Sequence, residues 1–145
     1  MEIFRDGEAI KSRLSFILKQ SSDPKKNLLK TYSSWFDELF YGIETDDGWI
    51  PLLDELCKEL KNLNFNGKVT QVKEKFGGLR FYVSSATDKQ NAIIDIYEKL
   101  SYFVCERCGK SGSLRSGGWV RTLCDEHEKE YQDRNNSRRL KIKND

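Results

Sequence analysis

The chain has 145 residues, enough for one domain or a domain with a small appendage, but not for two ordinary domains. Its 25 Lys and Arg against 23 Asp and Glu give a formal net charge of +2, which excludes a wholesale polyanion binder of the histone kind. A composition of 37% hydrophobic and 12% aromatic residues supplies the anchors of a folded chain, and no apolar run approaches the roughly 20 residues that cross a bilayer.

The N-terminus, MEIFRDGEAIKSR, mixes acids in early and has no apolar h-region, so it is not expected to be a signal peptide, and a cytoplasmic location follows. Ile10, Leu14, Ile17 and Leu18 then fall on one helical stripe. Asp23-Pro24 predicts the start of a second helix, with Asp23 capping free N–H groups and Pro24 in the first turn. Leu28, Tyr32, Trp35, Phe36, Leu39 and Phe40 continue that helix at the right spacing, and Gly42 is expected to end it in a left-handed conformation. Pro51 opens a third helix with Leu52, Leu53, Leu56, Leu60 and Leu63 along its buried stripe and Cys57 as a buried structural thiol.

Val69–Phe76 and Leu79–Val83 predict a hairpin around Gly77-Gly78, with Phe76 opposite Leu79, Glu74 opposite Phe81 and Val72 opposite Val83. One face is then Val72, Phe76, Leu79, Phe81 and Val83, with Glu74 intruding on it, which places Glu74 either at the rim with a cationic partner or on a register shifted by one through a longer turn; the other carries Lys73, Lys75, Arg80 and Tyr82. A fourth helix is expected after Asp88 as cap, with Ile93, Ile96, Tyr97, Leu100 and Phe103 on its stripe, running directly into Cys105.

Cys105-Glu106-Arg107-Cys108-Gly109 is a CxxC turn followed by Gly, and Cys124-Asp125-Glu126-His127 comes fifteen residues later. Two ligand pairs with this internal spacing predict a four-ligand Cys3His zinc site at Cys105, Cys108, Cys124 and His127. A CxxC turn brings two sulfurs together while backbone N–H groups point at them, and a Cys-x-x-His pair in a first helical turn presents both ligands on one side. Leu114–Arg115 and Trp119–Leu123 can pair around Ser116-Gly117-Gly118, so knuckle, hairpin and helix follow one another as in treble-clef-like modules. The fold class expected is α+β: a helical and β-hairpin core over residues 1–104, and a zinc module with a C-terminal helix over 105–145, packed on that core.

The same inventory limits function. The one His is a zinc ligand, so neither a Ser/His/Asp nor a Cys/His constellation can be assembled, and four protein ligands leave no open metal position for catalysis. Asp46-Asp47 sits at a helix start, where a turn or capping role is expected. The zinc is therefore read as a fold staple and the protein as not an enzyme. Zn(II) with three thiolates and a neutral imidazole sums to −1, a charge that Arg107, Lys110, Arg115 and Arg121 are placed to offset. Two further basic features stand out: the hairpin face of Lys73, Lys75, Arg80 and Tyr82, and the tail from Arg134 to Lys143. Against a nucleic-acid role for either stands the small net charge.

Four segments carry a resemblance: Gly48-Trp49-Ile50-Pro51-Leu52-Leu53, the Val72–Tyr82 run VKEKFGGLRFY, Cys105–Gly109, and the Trp119–His127 run WVRTLCDEH. Over about residues 48–128 the chain resembles a group of small bacterial and phage or prophage proteins of uncharacterised function. The resemblance implies a mobile-element or accessory-gene setting, in which small proteins often neutralise a toxin or a host defence component. The expected function is thus a zinc-stabilised protein-binding factor of inhibitor or immunity type; the alternative is a nucleic-acid-binding zinc-finger-type protein.

Overall fold

A computed structural model describes residues 23–37 and 39–144. The stripe expected over Ile10–Leu18 lies outside the described residues. The described chain is mixed α+β: helices α1 (Pro24–Thr31), α2 (Ile50–Asn62), α3 (Asp88–Leu100) and α4 (Asp125–Asn144), a three-stranded sheet of β1 (Ile43–Glu44), β2 (Val69–Lys75) and β3 (Gly78–Val83), and a two-stranded sheet of β4 (Ser113–Arg115) and β5 (Arg121–Leu123). Among the described residues no helix is long and apolar enough to cross a membrane.

Helix α1 begins as the sequence suggests, with the Asp23 carboxylate accepting from Lys25 N and Lys26 N at 3.1 and 3.3 Å. It ends at Thr31, well short of Phe40. The aromatic residues leave helical spacing because the core takes them individually: Tyr32 stacks on Trp35 at 5.0 Å, and Trp35 meets the edge of Phe65 at 5.1 Å. The Trp35 carbonyl accepts from Val69 N at 2.9 Å, a bond to the sheet that a continuing helix would have claimed. Leu39, expected on the buried stripe, is 85% exposed. Gly42 does adopt a positive φ of 101°, but it leads into β1 rather than closing a helix. Strand β1 pairs in parallel with β2, Ile43 opposite Val72 and Glu44 opposite Lys73.

Helix α2 buries Ile50, Leu53, Leu56, Cys57 and Leu60 against the sheet, with Leu52 packed at the margin. Cys57 is a buried thiol, as expected, and burial followed by the nearby Asp54 charge pushes its pKa far up, out of reach of redox chemistry.

The hairpin register differs from the expected one by two positions. Lys75 pairs with Gly78, Lys73 with Arg80, Val72 with Phe81, and Glu74 with Leu79. The two-residue turn is therefore Phe76-Gly77, with positive φ at both (52° and 84°), the conformation of a type I′ turn. Because the shift is even, side chains keep their faces: Val72, Leu79 and Phe81 remain buried, while Phe76 moves from the apolar face to the tip. Glu74 escapes the conflict by bending to the turn, where its Oε2 accepts from Gly77 N at 2.7 Å.

Helix α3 is capped by Thr87, one residue before the expected Asp88, in a reciprocal capping box with Gln90. Its inner face also differs. Ile96, Leu100 and Phe103 are exposed; Gln90, Ile94 and, just beyond the helix, Ser101 are buried, with Tyr97 at the margin. Apolar periodicity alone misplaces this face because half of it is polar by design: Gln90 Nε2 donates to Leu63 O at 2.9 Å, and Ser101 Oγ accepts from Leu79 N at 2.9 Å. Glu98 Oε2 likewise accepts from Phe81 N at 2.8 Å. Two outer N–H groups of edge strand β3, those of Leu79 and Phe81, are thus occupied by side chains of α3 and of the residue that follows it.

Candidate metal centre and its surroundings

Cys105 and Cys108 lie on a knuckle after the short 3₁₀ turn Ser101–Phe103, and Cys124 and His127 at the start of α4. The knuckle is folded by local bonds that the sequence makes possible. Gly109 N donates to Cys105 O at 2.9 Å with Gly109 at φ +80°, and Cys105 N donates to Lys110 O at 2.7 Å. Strands β4 and β5 then bring the second pair back, and His127 N points at Cys124 Sγ at 3.5 Å.

The donor atoms of Cys105, Cys108, Cys124 and His127 all lie within 4.8 Å of one another, so this group can hold a metal ion. Cys108 Sγ is 3.8 Å from Cys124 Sγ, and His127 Nδ1 is 3.6 Å from Cys105 Sγ and 3.2 Å from Cys124 Sγ. The other ring nitrogen, Nε2, stands 4.0 Å from Glu130 Oε2, a carboxylate able to orient the ring. Desolvation works to raise the Cys105 pKa, but backbone N–H groups of Cys124, Cys108 and Arg107 outweigh it and lower the thiol below its ordinary range. Cys108, at the exposed side, moves up, through desolvation and through crowding by Cys105 and Cys124.

Around this cluster the structure brings together residues that are remote in sequence. The Gly48 N–H donates to Glu106 O at 2.7 Å, and the fully buried Trp49 donates Nε1–H to Val104 O at 2.8 Å. A Cβ at Gly48 would overlap the carbonyl oxygens of Cys105 and Glu106. The turn of the β2–β3 hairpin docks on the other side: the buried Thr122 hydroxyl donates to Gly77 O at 2.6 Å, and a Cβ at Gly77 would strike Leu114. Gly78 leaves room for the Tyr102 ring, whose Oη accepts from Arg80 Nη2 at 3.3 Å.

The arginines expected to offset the charge of the metal are used on carboxylates. Arg121 Nη2 meets Asp46 Oδ2 at 3.0 Å, with Arg107 Nε 3.8 Å from the same oxygen. Arg115 binds Asp125 Oδ1 at 2.8 Å and also donates to Leu123 O. Asp46 is therefore a clasp between the helix α2 entry and the knuckle; its side chain makes no cap. Glu106 is buried beside this clasp. Its Oε2 accepts from Asp46 N at 3.0 Å, and desolvation, ahead of opposing terms, raises its pKa. Sequence reasoning missed the roles of Gly48, Trp49, Gly77 and Thr122. The small Gly48 next to a Trp at a helix start was the one local signal of close backbone approach.

Lys73, Lys75, Arg80 and Tyr82 do share the face opposite the core, since Lys73 and Arg80 are direct partners across the hairpin. They are not alike. Arg80 is half-buried and held by Tyr102 Oη and Leu79 O, whereas no ion pair joins Lys73 or Lys75 to a described residue. Lys75 Nζ stands over the Phe76 ring at 5.7 Å. Phe76 is 69% exposed at the tip, and Trp119, one residue before the Val120 that faces Gly77, is 67% exposed.

Comparison with protein families, with curated proteins and with solved structures finds no match to this chain.

Proposed function

We propose that this is a non-enzymatic, zinc-stabilised binding protein whose partner is another protein, of the inhibitor or immunity and anti-defence type, with Cys105–Asp145 as a treble-clef-like module. The resemblance of residues 48–128 to accessory-gene proteins of bacteria and phages favours a toxin or a defence component as partner, and a cytoplasmic setting.

Zinc is supported by the donor chemistry. For Zn–S of about 2.3 Å and Zn–N of about 2.05 Å, a tetrahedron has S···S edges of about 3.8 Å and S···N edges of about 3.6 Å. The Cys108–Cys124 separation of 3.8 Å and the Cys105–His127 separation of 3.6 Å match those edges, and the Cys124–His127 separation of 3.2 Å is shorter than its edge. Three thiolates and one imidazole complete four-coordination, so the ion would act as a staple, with no position for a reacting water.

The observation that carries the partner reading is the junction of the hairpin tip with the metal-bound strands. Thr122 and Leu114 meet Gly77, which also faces Val120, so Phe76 is exposed at a docked hairpin tip with Lys75 Nζ over its ring at 5.7 Å. No ion pair joins Lys75 to a described residue, and Trp119, one residue before Val120, is exposed too. Large exposed aromatics, one of them with a lysine over its ring, suit a protein interface whose opposite side offers an apolar centre and acidic groups.

The test is co-purification from the native host with tagged wild type and with Lys75→Glu/Phe76→Ser, both checked for one zinc per chain by elemental analysis. One stoichiometric protein retained by the wild type and lost by the variant is expected, a weakening of more than about 2 kcal/mol once measured with the pure partner. Retention of every partner by the variant would show this face to be only solvated.

A further inference from the structure

The distal half of α4 has no part in that reading. All five acids of the helix fall within Asp125–Asp133; Arg134 to Asn144 contains five cations and no acid. The rest of the chain then carries 20 cations against 23 acids, so the small net charge conceals a local excess. The proximal half is anchored by Cys124, His127 and the half-buried Tyr131. Beyond Asn135 every described side chain up to Ile142 is exposed. Arg134, Ser137, Arg138 and Lys141 lie side by side along one flank, beginning at Asp133, and no ion pair joins these cations to a described residue.

Helix-end electrostatics do not account for this stripe. Cations favour the C-terminal end of a helix only within its last turn. Arg134 and Arg138 stand further back. Along the axis Arg134 and Arg138 stand about 6 Å apart and Arg138 and Lys141 about 4.5 Å apart, a spacing that suits a ligand with closely repeated negative charge. Duplex DNA offers one phosphate per about 1.7 Å, and its major groove of about 12 Å admits a helix about 10–12 Å across. A single strand would call for aromatic rings to stack its bases, and the helix has none after Tyr131. A membrane surface would call for one apolar flank, but Leu140 and Ile142 are two positions apart and so point to different sides.

We propose that the distal half of α4 is a phosphate-binding arm for double-stranded DNA, reading charge and not sequence, with Arg134, Arg138 and Lys141 as its principal contacts. The net-negative body turns away from the duplex, leaving the arm to make the contact.

The experiment is fluorescence anisotropy of the whole chain with a labelled duplex of arbitrary sequence, titrated from about 50 to about 200 mM salt. With four phosphates neutralised, affinity is expected to fall by about two orders of magnitude over that range, with a log–log slope of about −3.6. Arg134→Gln/Arg138→Gln/Lys141→Gln should bring the slope to about −1, at unchanged zinc content and circular dichroism. Arg134→Lys/Arg138→Lys should bind like the wild type, since a phosphate accepts either point charge. Absence of duplex binding at about 50 mM salt, an unchanged slope in the triple Gln variant, or tighter binding to single strands or to phosphatidylserine vesicles would overturn the proposal. The triple variant leaves the hairpin face and metal ligands intact, so its outcome and that of the partner test are independent.

Discussion

At Gly48 the absence of a side chain lets the backbone that enters α2 lie directly on the knuckle that carries Cys105. Its N–H is bonded to Glu106 O at 2.7 Å, and the atoms that a Cβ would meet there, the carbonyls of Cys105 and Glu106, are backbone and cannot swing aside. Gly48→Ala must therefore separate α2 from the knuckle or distort the ligand turn. A loss of about 2–3 kcal/mol is expected, at the upper end of what overpacking costs. Thermal unfolding checks it, with Gly117→Ala as the control: the nearest atom to a Cβ there is Gln132 Nε2 at 4.0 Å, and its φ is ordinary, so the control should unfold within about 0.5 kcal/mol of wild type. Equal melting of both variants would refute the close-approach account. Trp49 follows the same logic in reverse, since its fully buried indole fills space in the core and its N–H needs the Val104 carbonyl.

Among the elements, the α3–β3 contact shows how a polar helix face can be structural. Glu98 gives Phe81 N–H its acceptor, yet desolvation, only partly offset by that bond and by Arg80, raises its pKa. A carboxyl whose folded pKa is raised destabilises the fold once ionised, so its penalty is absent below the unfolded pKa of about 4.3 and grows as pH rises through the folded value. Glu98→Gln keeps an acceptor for Phe81 without the charge. Chemical denaturation should find it at least as stable as wild type at pH 7, with the difference closing towards pH 4; a variant less stable at pH 7 than at pH 4, relative to wild type, would reverse the sign and reject this account. The same helix marks the limit of what the sequence made legible. Hydrophobic spacing located α2, the β2–β3 hairpin and α3, and the paired Cys-x-x-Cys and Cys-x-x-His spacings located the metal cluster, because those patterns are local. The inner face of α3 was illegible because Gln90 and Ser101 earn burial through remote partners, Leu63 O and Leu79 N. Strand β1 is two residues long, too short for a period, and the break of α1 before Tyr32 depends on Trp35 O being taken by Val69 N. The hairpin turn slipped because Phe76, a side chain that rarely adopts positive φ, does so here with Gly77.

On the scale of the molecule, two apolar clusters are joined by hydrogen bonds of backbone and side chains. Sixteen buried residues from Leu28 to Ile94 form the main core, whereas Cys105, Leu123 and Cys124 make a small cluster of their own with Tyr131 beside it. Three buried apolar residues are too few to hold a knuckle, two three-residue strands and a helix start against their chain entropy, and an ion held by the Cys3His group would supply that stability. The main core needs no such help, since α2 packs on the sheet without a contribution from the cluster. Removal of the metal with a chelator should therefore melt the region from Cys105 onward while α2, β2 and β3 persist. Hydrogen exchange resolves this by residue. The amides of Gly48, Cys105, Glu106 and Gly109, whose acceptors are Glu106 O, Lys110 O, Thr122 O and Cys105 O, should lose protection, and those within Leu53–Leu60 should keep it. The hairpin tip should loosen as well, because Thr122 no longer donates to Gly77 O. Added Zn(II) should restore all of these amides together. Loss of protection throughout α2 on chelation would make the two clusters one cooperative unit, and unchanged protection at Cys105 and Gly109 would remove the metal from the energetics of the fold.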